Sequence, residues 1–179
     1  QQIAGQYGGR FPASAEQLAE LPGIGRSTAA AVAAFAFGQR AAILDGNVKR
    51  VLCRQFGVEG FPGQAAIHRQ LWELAESLLP AGDIEPYTQG LMDLGATVCT
   101  RSRPRCGECP VAAGCIARRD GRQGELPSSK PRAAVPERTS TFVLLHDGAR
   151  LLLERRPPSG LWGGLLVPPE GEPGLVARR

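Results

Sequence analysis

Four of the five cysteines, Cys99, Cys106, Cys109 and Cys115, fall in a single C-x6-C-x2-C-x5-C stretch. No feature constrains the fold more, because the ends of that stretch must close on one centre. Thiolates bunched this tightly suit a soft metal centre, zinc or iron–sulfur, whereas buried cysteines otherwise behave as scattered small hydrophobes. Structural zinc sites use two short knuckles held apart by a longer spacer. Here only Cys106–Cys109 is a knuckle, and the asymmetry favours a cubane cluster wrapped by one loop. An odd number of cysteines, with these four too close in sequence to staple a fold, argues against disulfides. Cys53, inside the apolar run Val51-Leu52-Cys53, reads as a packed helix residue.

Net charge is only +4, so its distribution matters more than its size. Arg101, Arg103, Arg105, Arg118, Arg119 and Arg122 bracket the cysteine loop against Glu108 and Asp120. Arginines clustered on a rigid loop form a phosphate-binding footprint; a solvated face is the plain alternative. Apolar content is 42%, ordinary for a globular protein, and no run approaches a membrane span. No membrane partner is expected. The chain opens on Gln1 without methionine and stops at Arg179 inside a pattern, which predicts a piece of a longer protein.

The first two-thirds read as helices. Ser14 with Gln17 forms a capping box that opens a short helix through Leu21. An alanine-rich helix over Arg26–Phe37 is closed by Gly38, and a third follows Asp45 and ends near Gly57. Over Ala65–Leu79, Ile67, Leu71, Leu74 and Leu78 share a face, with Pro80 as the stop. Asp83 is expected to cap a further helix carrying Ile84, Tyr87, Leu91, Leu94 and Val98, which delivers the chain to Cys99. Residues 123–138, rich in Pro, Ser and charge, read as a linker. Beyond it, Thr141–Leu145 and Arg150–Glu154 flank Asp147-Gly148, a hairpin signal.

Between the first two of these helices lies Leu21-Pro22-Gly23-Ile24-Gly25-Arg26-Ser27-Thr28. Two glycines two apart allow a tight reversal and leave backbone N–H groups uncovered at a helix N-terminus, where the dipole favours an anion. Such a turn can grip DNA phosphate without reading sequence; an ordinary interhelical turn is the simpler alternative. Helix-hairpin-helix, then Leu44-Asp45-Gly46-Asn47-Val48-Lys49-Arg50, then the cysteine loop resembles the base-excision glycosylase superfamily that includes endonuclease III. Within it, the L-D-G-N-V-K-R-V-L run, Met92–Arg101 and Arg156–Gly164 are similar to the MutY-type adenine DNA glycosylase family.

The resemblance implies a mainly α fold. Residues 1–122 would form a helix-hairpin-helix glycosylase domain with its cluster loop over 99–115, and the start of a Nudix-like α+β domain would follow over 139–179. It implies a [4Fe-4S] cluster on Cys99, Cys106, Cys109 and Cys115, and Asp45 as a catalytic carboxylate facing a flipped nucleotide. A fixed carboxylate stabilises the oxocarbenium-like state formed when an N-glycosidic bond breaks, and the base must first leave the stack. By residue type alone, Asp45 is an N-cap. Ser27 and Asn47 would support the substrate, and Gly23, Ile24, Gly25, Arg26, Thr28, Lys49, Arg101, Arg103 and Arg105 would contact DNA.

In the lyase branch of the superfamily a lysine stands where this chain has Ser27, so hydrolysis by water is expected over Schiff-base chemistry. The family's glutamate general acid lies upstream of the residues here, and Glu16 and Glu20 do not replace it. Little or no excision by this chain alone is therefore expected. The expected partner is double-stranded DNA containing an adenine mispaired with 8-oxoguanine or guanine, bound by a monomer associated with the nucleoid in bacterial cytoplasm. An endonuclease III-like lyase and a non-catalytic DNA-binding module are the alternatives. The second domain would recognise 8-oxoguanine rather than cleave pyrophosphate, with Trp162 in its core.

Overall fold

The computed structural model describes residues 1–131 and 135–172, and the chain divides into two compact units, 1–131 and 132–179. The first unit is helical: α1 (Gln2–Gln6), α2 (Ala15–Ala19), α3 (Arg26–Phe37), α4 (Gly46–Phe56), α5 (Ala65–Ser77), α6 (Ile84–Asp93), a single wide π turn at Leu94–Val98, and a short α7 (Ile116–Arg119) after the cysteine loop. No helix among the described residues is long and apolar enough to cross a membrane.

The caps explain most boundaries. Ser14 Oγ accepts from Gln17 N–H at 3.2 Å and opens α2. Gly38 and Gly57 close α3 and α4 in the left-handed region, φ 62° and 65°, where a side chain would be strained. At Asp83 the cap fails. Its φ is 54° and its side chain makes no capping bond, so α6 starts on the Asp83 carbonyl, which accepts from Tyr87 N–H.

Helix α3 works because its small residues line two faces. Ala29 and Ala33 pack with Leu18 and Leu21 of the preceding hairpin. Ala30 turns to the main core with Leu44, Val48, Leu52, Leu71, Trp72 and Ala75. These three methyl-sized side chains let neighbouring helices approach closely at little entropic cost. On α5 the buried set is Leu71, Trp72 and Ala75, while Leu78 is exposed, so the apolar face is turned by one residue from the Ile67–Leu78 stripe.

The stretch read as a linker begins inside the first unit. Leu126 is 2% exposed, its carbonyl accepts from Arg54 Nε at 2.8 Å, and Arg122 pairs with Glu59 and Glu125. Residues 123–126 are held by bonds that composition does not reveal.

In the second unit, β1 (Glu154–Arg155) pairs antiparallel with β2 (Leu166–Val167). A hairpin closes with His146 opposite Leu151, and the central pair is Gly148-Ala149, one residue later than the Asp-Gly signal. Gly148 has φ 95°, as the first central position of a primed turn requires. Asp147 Oδ1 accepts from the N–H groups of Ala149 and Arg150, which hold its carboxyl below the ordinary range. Trp162 is not in a core: it is 48% exposed with φ 55°, tilted against Phe142 at 6.0 Å. The strands described here offer it no second layer to pack against, and Leu144, Leu152 and Leu166 are exposed as well.

Candidate metal centre and nucleic-acid interface

Cys99, Cys106, Cys109 and Cys115 line one pocket, walled by Val51, Leu94, Val98, Pro104 and Val111. Two N–H donors are aimed at sulfur. Arg54 Nη1 lies 3.4 Å from Cys99 Sγ, and Gln123 Nε2 lies 3.9 Å from Cys106 Sγ. Among the described residues no group of three or more His, Cys, Asp or Glu is arranged to hold a single metal ion. Four cysteines around one shared, largely apolar pocket suit an iron–sulfur cluster. Cys53 is buried and separate, its thiol pushed up to about 11 by burial and only partly drawn back by Lys49.

Helix α4 carries a polar stripe of Asn47, Arg50 and Arg54, spaced to share a face. Arg50 Nε donates to Cys99 O at 2.7 Å, and its Nη2 donates to Gly95 O at 2.7 Å and to Asn47 Oδ1 at 2.9 Å. Arg54 donates to the carbonyls of Thr100 at 2.7 Å and Arg101 at 2.9 Å. The helix that begins at Asp45 is thus pinned along its length to the first cluster ligand. Gly95 is where the elements touch: a Cβ there would stand 2.6 Å from Asn47 Cβ. The sequence reading missed Arg50, Arg54, Gly95 and Gln123 in these roles. The stripe on α4 was the available signal, because two arginines beside Val51-Leu52-Cys53 need buried partners.

Asp45 is the N-cap of α4. Its Oδ1 accepts from Val48 N–H at 2.8 Å, and Oδ2 has no hydrogen-bond partner among the described residues. Ser27 Oγ accepts from Leu44 N–H at 2.9 Å, which fixes the backbone one residue before Asp45. Asn47 faces Arg50 and Gly95; its bonds run toward the cluster loop. In the hairpin, Ile24 N–H reaches Leu21 O at 3.0 Å and Gly23 takes φ 84°. Gly25 has an ordinary φ of −82°, yet nothing lies within 4 Å of a Cβ built on it. Its N–H and that of Gly23 have no backbone partner among the described residues.

The cations divide into two sets. Arg26 stacks on Trp72 with its Cζ 3.9 Å from the ring centroid and pairs with Glu76; Arg105 pairs with Glu108 at 2.9 Å and donates to Thr97 O. Arg101, Arg103 and Lys49 make no ion pair among the described residues. Lys49, Arg50, Arg101 and Lys130 line a groove of about 760 Å³ at the N-terminal end of α4, and no carboxylate lines it. Beside Trp72, in edge contact at 6.2 Å, His68 has its basicity lowered by burial and by the neighbouring Lys49 and Arg26.

Residues 6–35 match the helix-hairpin-helix motif family, and residues 99–115 match the iron-sulfur binding domain of endonuclease III. The chain belongs to the helix-hairpin-helix, iron–sulfur superfamily of DNA glycosylases. It is 33% identical over 94% of its length to an adenine DNA glycosylase of Buchnera aphidicola, covering 48% of that protein. Among solved structures it is similar to a thermostable thymine-DNA glycosylase, at 38% identity and a TM-score of 0.60, over 66% of this chain and 54% of that one. A non-covalent endonuclease III–DNA complex gives 26% identity and a TM-score of 0.52, over 67% and 54%. The chain spans about half the length of the relatives it matches. Its cofactor, as a member of this superfamily, is a [4Fe-4S] cluster, which Cys99, Cys106, Cys109 and Cys115 would hold; bound there, it supplies a rigid four-point anchor for the arginine-bearing loop.

Proposed function

We propose that this chain carries the catalytic carboxylate and the cluster of a monofunctional, monomeric glycosylase that hydrolyses the N-glycosidic bond of adenine mispaired with 8-oxoguanine or guanine in double-stranded DNA, in bacterial cytoplasm. The observation that carries the proposal is the seat of Asp45, presented at the N-terminus of α4 with Oδ2 free and its approach fixed by Ser27. A hydroxyl committed to a backbone N–H cannot attack a sugar as an amine does, so Asp45 is left to stabilise the oxocarbenium-like state while water attacks. Gly25 is explained by a ligand rather than by the fold: a side chain there would fill the open face where a phosphate approaches the α3 N-terminus. Lys49 and Arg101 would then hold the backbone along the groove, with Arg103 meeting phosphate from the same loop outside it, whereas Arg26 and Arg105 act through their fixed partners. Residues 139–179 would belong to a Nudix-like domain facing the 8-oxoguanine.

Excision of adenine opposite 8-oxoguanine by the full-length protein and its Asp45→Asn variant tests this. The expected loss is on the order of 10²–10³-fold in rate with duplex binding retained, and an unchanged rate would sink the assignment. Borohydride trapping of an enzyme–DNA adduct as the obligate product would favour the lyase reading instead. A second reading, a non-catalytic DNA-binding module, is favoured for residues 1–179 by themselves, because no second carboxylate joins Asp45 in a hydrogen-bonded group among the described residues. Binding without turnover by this chain, and turnover by the full-length protein, is the expected pair of outcomes.

A further inference from the structure

We propose that Arg54 is the counter-charge of the iron–sulfur cluster, a buried guanidinium set against Cys99 Sγ that strengthens cluster retention and raises its reduction potential. Arg54 is 3% exposed, on a helix whose buried face is otherwise Val48, Val51, Leu52 and Cys53. Its Nε and Nη atoms donate to the carbonyls of Leu126, Thr100 and Arg101, which satisfies its hydrogen bonds and leaves its charge in place. Arginine does not escape by losing a proton, and buried charges persist where an opposite charge meets them. Among the described residues every ion pair involves some other arginine, and no carboxylate reaches this one.

The anion within reach is sulfur. Arg54 Nη1 is 3.4 Å from Cys99 Sγ, and Cys115 Sγ lies 3.5 Å from the Arg54 carbonyl oxygen, so the first and last ligands both close on this residue. A cluster bound by four thiolates carries net negative charge, which grows on reduction. A fixed cation and an N–H donor at a ligand sulfur favour the more electron-rich state. The inference rests on the cofactor and is independent of what the protein excises.

Arg54→Lys and Arg54→Gln separate charge from geometry, since both lose the planar fork and only lysine keeps the cation. In the cluster-loaded protein, iron per chain, loss of cluster absorbance to a chelator, and the midpoint potential are measured. Arg54→Gln is expected to lose iron faster and to shift the oxidised-to-reduced ratio at fixed potential by about tenfold, a fall of about 59 mV for a one-electron couple. Arg54→Lys is expected to stay nearer wild type on all three. Gln123→Leu, which removes the longer uncharged contact to Cys106, should shift the potential less. Iron in the lysine variant but not the glutamine variant would also support the proposal. Equal behaviour of the two variants, whether unchanged, equally shifted or equally iron-free, would overturn it.

Discussion

In the hairpin turn the bonds that shape the backbone are local: Ser14 to Gln17, Leu21 to Ile24 and Gly25 to Ala29. The cluster loop has turns of its own, but its ends are held by Arg50 and Arg54, through bonds that span 45 to 72 residues of sequence. Both segments present backbone and cations on the surface, and they differ in what keeps them there. The hairpin rests on two alanine-sized layers and Leu18, with no buried charge. The loop rests on two guanidiniums and four sulfurs. A locally encoded turn should survive the loss of distant partners, while a loop shaped by remote donors and a metal should not.

The largest test of that contrast is removal of the iron. Chelation is expected to strip hydrogen-exchange protection from residues 99–126 and leave the amides of α3 protected, since metal-site binding energy is also folding energy. Parallel loss of protection in α3 would break the contrast. Next in size, Leu18→Ala, at a fully buried hairpin position, should cost about 2–5 kcal/mol, with cluster absorbance unchanged.

Cys53 gives a pH test of the core between the two regions. Its folded thiol sits at about 11 against an ordinary value of 9.0, so the unfolded chain ionises first as pH rises. The stability from keeping it neutral is complete below pH 9 and is lost progressively toward pH 11, on the order of 2–3 kcal/mol. Denaturant titrations of wild type and Cys53→Ala should diverge in slope over that window. Smallest of all, Ser14→Ala removes one cap bond and should cost about 1 kcal/mol; a drop of several kcal/mol would mean the hairpin is less local than its bonds indicate.

The same contrast explains what could be read from sequence. The boundaries of α3 and α4 were legible because alanine content, Gly38, Asp45 and Gly57 act within a turn of themselves. The cysteine set was legible because ligand spacing is a local pattern. The roles of Arg50 and Arg54 were not, since their partners are carbonyls whose nearness exists only after folding. Asp83 misled for the opposite reason: it has the right side chain for a cap, but its left-handed backbone turns that side chain away from the helix. Trp162 was placed in a core from its size, although the strands around it give it no opposing layer.

The π turn before Cys99 has a consequence of phase. Cys99 N–H bonds Leu94 O at 2.7 Å, five residues back, so one extra residue is wound into that turn. A single residue rotates a helix by about 100°, and regular α winding to the same point would swing Cys99 by about that angle away from the other three sulfurs and its carbonyl away from both arginines. The extra residue therefore acts as an angular setting. Winding Leu94–Val98 as regular α-helix with every residue retained would leave all four cysteines in the chain and mistime the first of them.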